Sequence, residues 1–227
     1  MCKHTLLQLS RLRHVKVLML SILALVAASS LTATEIPGAQ AGTKRYTLNS
    51  KVGKSTIEFV SDTPVEKFNG TADGISGGFN LDASNLENTN GTIDVTVLSM
   101  KTANSKRDEH MYDANWLDAT KYPTITFNVK SLKDVKVSTK DGRSVVNAKA
   151  VGSFTCHGVT TNRTADIVIT YVAESAETRK RASGNLIVVD ASFVVKLADH
   201  GVKGKSGVIG KSVGETIEVK AQLFSNS

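Results

Sequence analysis

Period-two alternation of apolar and polar residues runs through most of the chain. Ile93, Val95 and Val97 alternate with Thr92, Asp94 and Thr96, and Ile125, Phe127 and Val129 alternate with Thr124, Thr126 and Asn128. Further on, Ile217, Val219, Ala221 and Leu223 alternate with Thr216, Glu218, Lys220 and Gln222. Successive side chains of a strand point to opposite faces, so each run reads as a strand with one buried and one wet face. Comparable runs lie at 56–60, 78–81, 145–156, 166–172 and 186–197, which makes about eight strands. Asn90-Gly91 and Asp141-Gly142 read as turn signals between them. No long helical period and no alternation of strands with helices appears, so the class is all-β, a sandwich or a closed antiparallel barrel.

The strand from Val145 bears on what fills the interior. The positions sharing the parity of Phe154 are Val146, Ala148, Ala150 and Gly152, too small to fill a barrel by themselves. If that face is the inner one, either a cavity remains or Phe59, Phe79, Phe127 and Phe193 occupy it.

The N-terminus departs from this pattern. Lys3, Arg11, Arg13 and Lys16 precede the apolar run Val17 to Ala28, which is short for a bilayer core and reads as a secretory signal peptide. Val26-Ala27-Ala28 and Ala39-Gln40-Ala41 both offer small residues for cleavage, and the second fits the small-x-small rule better. Residues 1–41 are therefore expected to be a signal peptide with a short leader, and 42–227 one domain, periplasmic or secreted. An uncleaved N-terminal anchor is the alternative. No later segment is apolar enough to span a membrane as a helix.

Charge adds little. The leader holds four of the 28 basic residues and one of the 21 acidic ones, so the formal charge of +7 falls to +4 without it. Arg179-Lys180-Arg181 follows Glu174 and Glu177 and has no interleaved aromatics, so nucleic acid is not an expected partner. Only Cys156 remains past the leader, which excludes an internal disulfide and marks it as a small buried hydrophobe.

Catalytic and metal motifs fail on context. Gly74-Ile75-Ser76-Gly77-Gly78 has the G-x-S-x-G spacing of a nucleophile elbow, but it leads into a strand and not a helix. Gly204 to Ser212 resembles a phosphate loop without the required glycine spacing or an α/β unit around it. It reads as a loop beside an opening, whose lysines could meet an anionic head group. His110, His157 and His200 lack the pairing of a zinc site, so no metal and no cofactor is expected.

The densest passage is Lys106 to Phe127. Ser105 and Asp108 form a plausible capping pair, predicting a short helical connection near 105–118. Neighbours on a helix diverge, so Arg107 and Asp108 must reach different partners, as in a charged clasp between strands. Tyr112 and Trp116, four apart, are expected on one apolar face. Pro123 extends Tyr122 and sends the chain into the strand from Thr124.

Arg107-Asp108-x-His110, Trp116-Leu117-Asp118 and Tyr122-Pro123-x-Ile125-Thr126-Phe127 together resemble the signature of the YceI-like family of periplasmic or secreted lipocalin-like proteins. Phe68-x-Gly70, Gly78-Phe79-x-Leu81-Asp82 and the run Gly152 to Thr160, containing His157-Gly158-Val159-Thr160, extend the resemblance over about 46–223. It implies an extended eight-stranded antiparallel lipocalin-like barrel holding a polyisoprenoid or similar long-chain amphiphile, without catalysis. Transport, storage or sequestration of that lipid would be the function, and a homodimer is compatible with it. The chain departs from the family pattern at Phe59-Val60-Ser61-Asp62, where many members carry a His. It departs again at Val189 to Val194, where many carry an Asn-Arg-x-x-Phe-Gly stretch, so no particular head group is implied.

Alternation and resemblance together place Phe59, Phe79, Leu81, Val95, Val97, Phe127, Val129, Phe154, Ile169 and Phe193 on the ligand-facing interior. Arg107, Asp108, His110, Trp116 and His157 are the candidates for a mouth or a structural clasp. Two rivals stand beside this reading: an interaction or stress-response module with a filled barrel, and a hydrolase or isomerase using His110 or His157 with Asp108.

Overall fold

The computed structural model describes residues 33–227; residues 1–32, with the apolar run of the expected signal peptide, lie outside the described residues. Ten strands and one α-helix follow in order: β1 (Thr43–Leu48), β2 (Thr56–Asp62), β3 (Lys67–Ala72), β4 (Ile75–Asp82), β5 (Asn90–Thr96), α1 (Ser105–Tyr112), β6 (Thr124–Lys140), β7 (Arg143–Cys156), β8 (Val159–Val172), β9 (Leu186–Lys196) and β10 (Thr216–Asn226). All neighbours are antiparallel, in the order β1-β4-β5-β6-β7-β8-β9-β10-β2-β3, and β1 also pairs with β10 to close the ring.

β1 and β2 lie end to end along β10, β1 at its C-terminal end through Thr47↔Asn226 and β2 at its N-terminal part through Ile217↔Ser61 to Gln222↔Thr56. β3 and β4 pair with β2 and β1 in turn. The ten segments are thus the eight staves of a closed barrel, two of them interrupted, as the alternation and the resemblance predict.

The parity argument holds on β7. Val146, Ala148, Ala150, Gly152, Phe154 and Cys156 are all buried and the residues between them are less so. The interior is therefore walled by small side chains on this stave, and three aromatic rings cross the space. Phe127, Phe154 and Phe193 meet pairwise with centroids 5.4 to 6.3 Å apart.

β6 runs eleven residues past the predicted end at Val129 because two bulges, at Val129/Ser131 and Lys133/Lys136, shift its register against β7. Each bulge flips the parity. Phe127 and Val129 face in, then Leu132, then Val135 and Val137. Asn90-Gly91 is a second correction: it opens β5 and is not a turn. A Cβ on Gly91 would lie 2.5 Å from the Cα and Cβ of Phe79, so a glycine there lets β5 close on β4. Asp141-Gly142 is the predicted tight turn, with φ of 50° and 71°.

The core has two parts. One gathers Tyr46, Leu81, Leu86, Val146, Ile169, Tyr171 and Ile187 at the end of the barrel away from α1, and the other gathers Val97, Leu117, Ala119, Phe154, Cys156, Val195, Leu197 and Val202 under α1. Phe127 and Phe193 pack against both. Among the described residues no helix is long and apolar enough to cross a membrane.

Candidate functional site

Two cavities lie along the barrel axis. The deep one, ≈ 160 Å³, sits among the staves and is lined by Phe59, Phe79, Val95, Phe127, Val129, Phe154, Ile169 and Phe193, with Ile57, Ile93, Leu132, Ile167, Val189 and Leu223 among the others. Thr89 is the one polar side chain on its wall. The second, ≈ 390 Å³, opens at the α1 end and adds Glu66, Phe68, Thr102, Asn104, Lys106, Arg107, His110, Met111, Trp116 and Ser212. Phe59, Met100, Ile125, Phe154 and Val219 line both, so the two are successive chambers of one tunnel.

Eight of the ten residues expected on the interior therefore line the deep chamber. Leu81 and Val97 are buried but do not line it. Leu81, only 1 % exposed, sits past the chamber in the closed end beside Tyr46 and Leu86. Val97 leaves the strand: β5 stops at Thr96, the 3-10 turn Val97–Ser99 follows, and the Val97 amide donates to the Pro123 carbonyl. Its side chain is spent on packing against Leu117 and Ala119.

The clasp separates as neighbouring helical positions require. Helix α1 starts where the Asn104 side chain accepts from the Arg107 amide, so Asn104 and not Ser105 is the cap. Asp108 is thereby freed from capping and turns inward. Its Oδ1 accepts from the Thr102 amide at 2.8 Å and the Thr102 hydroxyl at 2.7 Å, and the residue is 6 % exposed. Arg107 turns the other way, donates to Glu66 Oε1 at 2.9 Å and lies over the Phe68 ring at 4.0 Å. This ties α1 to the β2–β3 hairpin, and it explains Phe68-x-Gly70. A Cβ on Gly70 would collide with the Phe59 ring at 2.2 Å and the Lys101 carbonyl at 2.6 Å, where β3 bridges to Lys101.

Trp116 is not on the helix with Tyr112, because α1 ends at Tyr112. The chain turns through Asp118 at φ 47°, held by Asp118 N to Asp113 O and Tyr122 N to Asp118 O, and this fold-back delivers Trp116 to the mouth. A short polar side chain tolerates that left-handed backbone. Tyr112 donates its hydroxyl to the Met100 carbonyl.

His110 lines the mouth; His157 does not. His157 sits in the tight turn from β7 to β8, its Nδ1 paired with the His200 carbonyl at 3.0 Å and its ring edge-on to Tyr122. His200, fully buried, pairs its own Nδ1 with the Val159 carbonyl. These two imidazoles lock the turn to the chain following β9. Asp108 binds Thr102, not a histidine, so the acid–base pair required by a hydrolase reading is not formed. Cys156 lines the mouth chamber, and burial pushes its thiol pKa up to about 12, which keeps it protonated.

The loop from Gly204 to Ser212 contributes Val208 and Ser212 to the mouth. Met100, Met111, Val202 and Val213 also stand there without any periodic signal in the sequence. Glu66 was equally silent as sequence.

The YceI-like domain family matches residues 46–224. A UPF0312 protein of Pseudomonas putida is 25% identical over 180 residues, 78% of this chain and 86% of that protein. Among solved structures, BcnA of Burkholderia cenocepacia superposes with a TM-score of 0.58 at 17% identity, over 75% of this chain and 96% of that one. A polyisoprenoid binding domain from Saccharophagus degradans, implicated in plant cell wall breakdown, superposes at 0.57 and 17% identity, over 80% and 98%. The motifs, the closed barrel and the extent of the match agree: this chain belongs to the YceI-like domain family.

Proposed function

We propose that the protein is an exported carrier or store for a long-chain amphiphilic lipid of the polyisoprenoid kind, held tail-first in the tunnel with its head at the α1 end. The observation that carries this reading is the deep chamber's wall, hydrocarbon apart from Thr89 and continuous with a mouth that is not. Each buried CH₂ contributes about 0.8 kcal/mol, so a chain of isoprene units gains affinity there without any polar contact. A polar head has partners only at the mouth, where Lys106, Arg107 and His110 stand with one acid, Glu66, already paired to Arg107. The likeness to a polyisoprenoid binding domain supports the same class of ligand.

The deep chamber's ≈ 160 Å³ is below the ~300–1,000 Å³ usual for ligand pockets. A long tail therefore enters by rotation of Phe127, Phe154 and Phe193. The same three rings carry the rival reading, in which the barrel is filled by its own side chains and serves as an interaction module.

The deciding experiment is native against denaturing mass spectrometry of the protein exported with its own leader and purified without harsh detergent. A stoichiometric long-chain lipid released on denaturation is the expected result. A clean apo mass that takes up no added polyprenol, polyprenyl phosphate or fatty acid would establish the filled module instead.

A further inference from the structure

The segment ahead of β1 is fastened to the barrel through one buried side chain and a set of hydrogen bonds. Ile36 is 3 % exposed and belongs to the core at the end away from α1, where Ala39 also packs. The Ile36 amide donates to the Ala83 carbonyl at 2.7 Å, and the Leu86 amide donates to the Thr34 carbonyl at 2.9 Å. Thr34 donates its amide and its hydroxyl to the two carboxylate oxygens of Glu87, at 3.0 and 2.6 Å. Burial alone would raise the Glu87 pKa; the two Thr34 hydrogen bonds, with one from the Glu87 backbone, outweigh it and hold the carboxyl below its ordinary range.

We propose that Thr34–Gln40 is a permanent plug of the barrel's closed end, and that the cut removing the leader falls before Thr34, with Val26-Ala27-Ala28 as the recognised site. The proposal rests on the reading of the N-terminus as an export leader. A cut after Ala41 would strip Ile36 from a core that includes Leu81 and Leu86 and leave the Ala83 carbonyl and Leu86 amide without their partners. Ala28 also ends the apolar run directly, whereas Ala41 lies thirteen residues farther along the chain. With the plug retained, the tunnel has one mouth, at α1, and lipid enters and leaves by the same door.

Two measurements test this. The full chain is expressed with its own leader in a Gram-negative host, and the periplasmic product is read by intact mass and N-terminal sequencing. A chain starting at Ser29 is expected, and a start anywhere from Ser29 to Thr34 upholds the plug. A start at Gly42 overturns it while leaving export intact; an uncut chain, the anchored alternative, overturns the cut. Separately, Ile36→Ala is expected to lower Tm by about 5–10 °C, and the milder Thr34→Val by about 2–4 °C. Unchanged Tm in both variants would show that the segment plugs nothing.

Discussion

Thr89 is the one polar side chain on the wall of the deep chamber, whereas the mouth chamber gathers Glu66, Thr102, Asn104, Lys106, Arg107, His110 and Ser212. The two also differ in origin. The deep wall comes mainly from inward positions of regular staves, in which backbone pairing fixes every side chain at once. The mouth comes largely from α1, from the fold-back through Asp118 and from the loop that contains Val208, each fixed by its own few contacts. A wall made by alternation can be uniformly apolar and long, and it selects by length and bulk. A rim made by loops places individual charges, and it selects by head group.

The comparison breaks most sharply if the deep wall is filled. Ala150→Phe adds a ring opposite Leu132 and Ala165, and bound lipid is expected to fall at least about tenfold while head-group preference among residual ligands stays the same. Quantifying co-purified lipid checks this; full retention would place the tail elsewhere. At the rim, Asp108→Ala removes two charge-assisted hydrogen bonds and strands the buried Thr102 amide. A loss of about 2–3 kcal/mol is expected in denaturant titration, with or without lipid. Lost binding at unchanged stability would make Asp108 a ligand contact instead. Lys106→Glu touches only the rim and should weaken an anionic amphiphile about three- to tenfold relative to a neutral one of equal tail, read by competition binding.

The smallest effect concerns acid. Glu87 has a folded pKa below its unfolded value of about 4.3, so its stabilisation is fully present above that value and lost as pH falls through the folded one. Glu87→Gln should therefore show a smaller drop in Tm between pH 5 and 3 than the parent protein. An identical acid limb in both would show that the Thr34 contact does not persist in solution.

The contrast between chambers also explains what could be read from the sequence. Strands long enough to repeat their alternation several times, such as β7 and β10, were legible with their parity. β1 and β3 were not, because in β3 the inward positions are Gly70 and Ala72, and in β1 Tyr46 is the single buried residue. The extension of β6 was hidden by its bulges, since a flipped parity looks like the end of a pattern. Divergence of Arg107 and Asp108 followed from helix geometry alone, but their partners Glu66 and Thr102 did not. Such pairings depend on loops meeting in space, and no local period records them.

Barrel closure has a consequence for the time course of folding. β1 meets β10 through only two register pairs, Thr47↔Asn226 and Leu48↔Ser225, reinforced by the Asn49 amide to the Phe224 carbonyl and the Asn49 side chain to Asn226. These contacts span nearly the whole described chain, and the entropy of joining such distant segments is met before the contacts return anything. The hairpins from β5 to β9 can assemble from local contacts, but the ring stays an open sheet with a hydrophobic face until β1 and residue 226 pair. β10 is the hoop that makes a container of the rest.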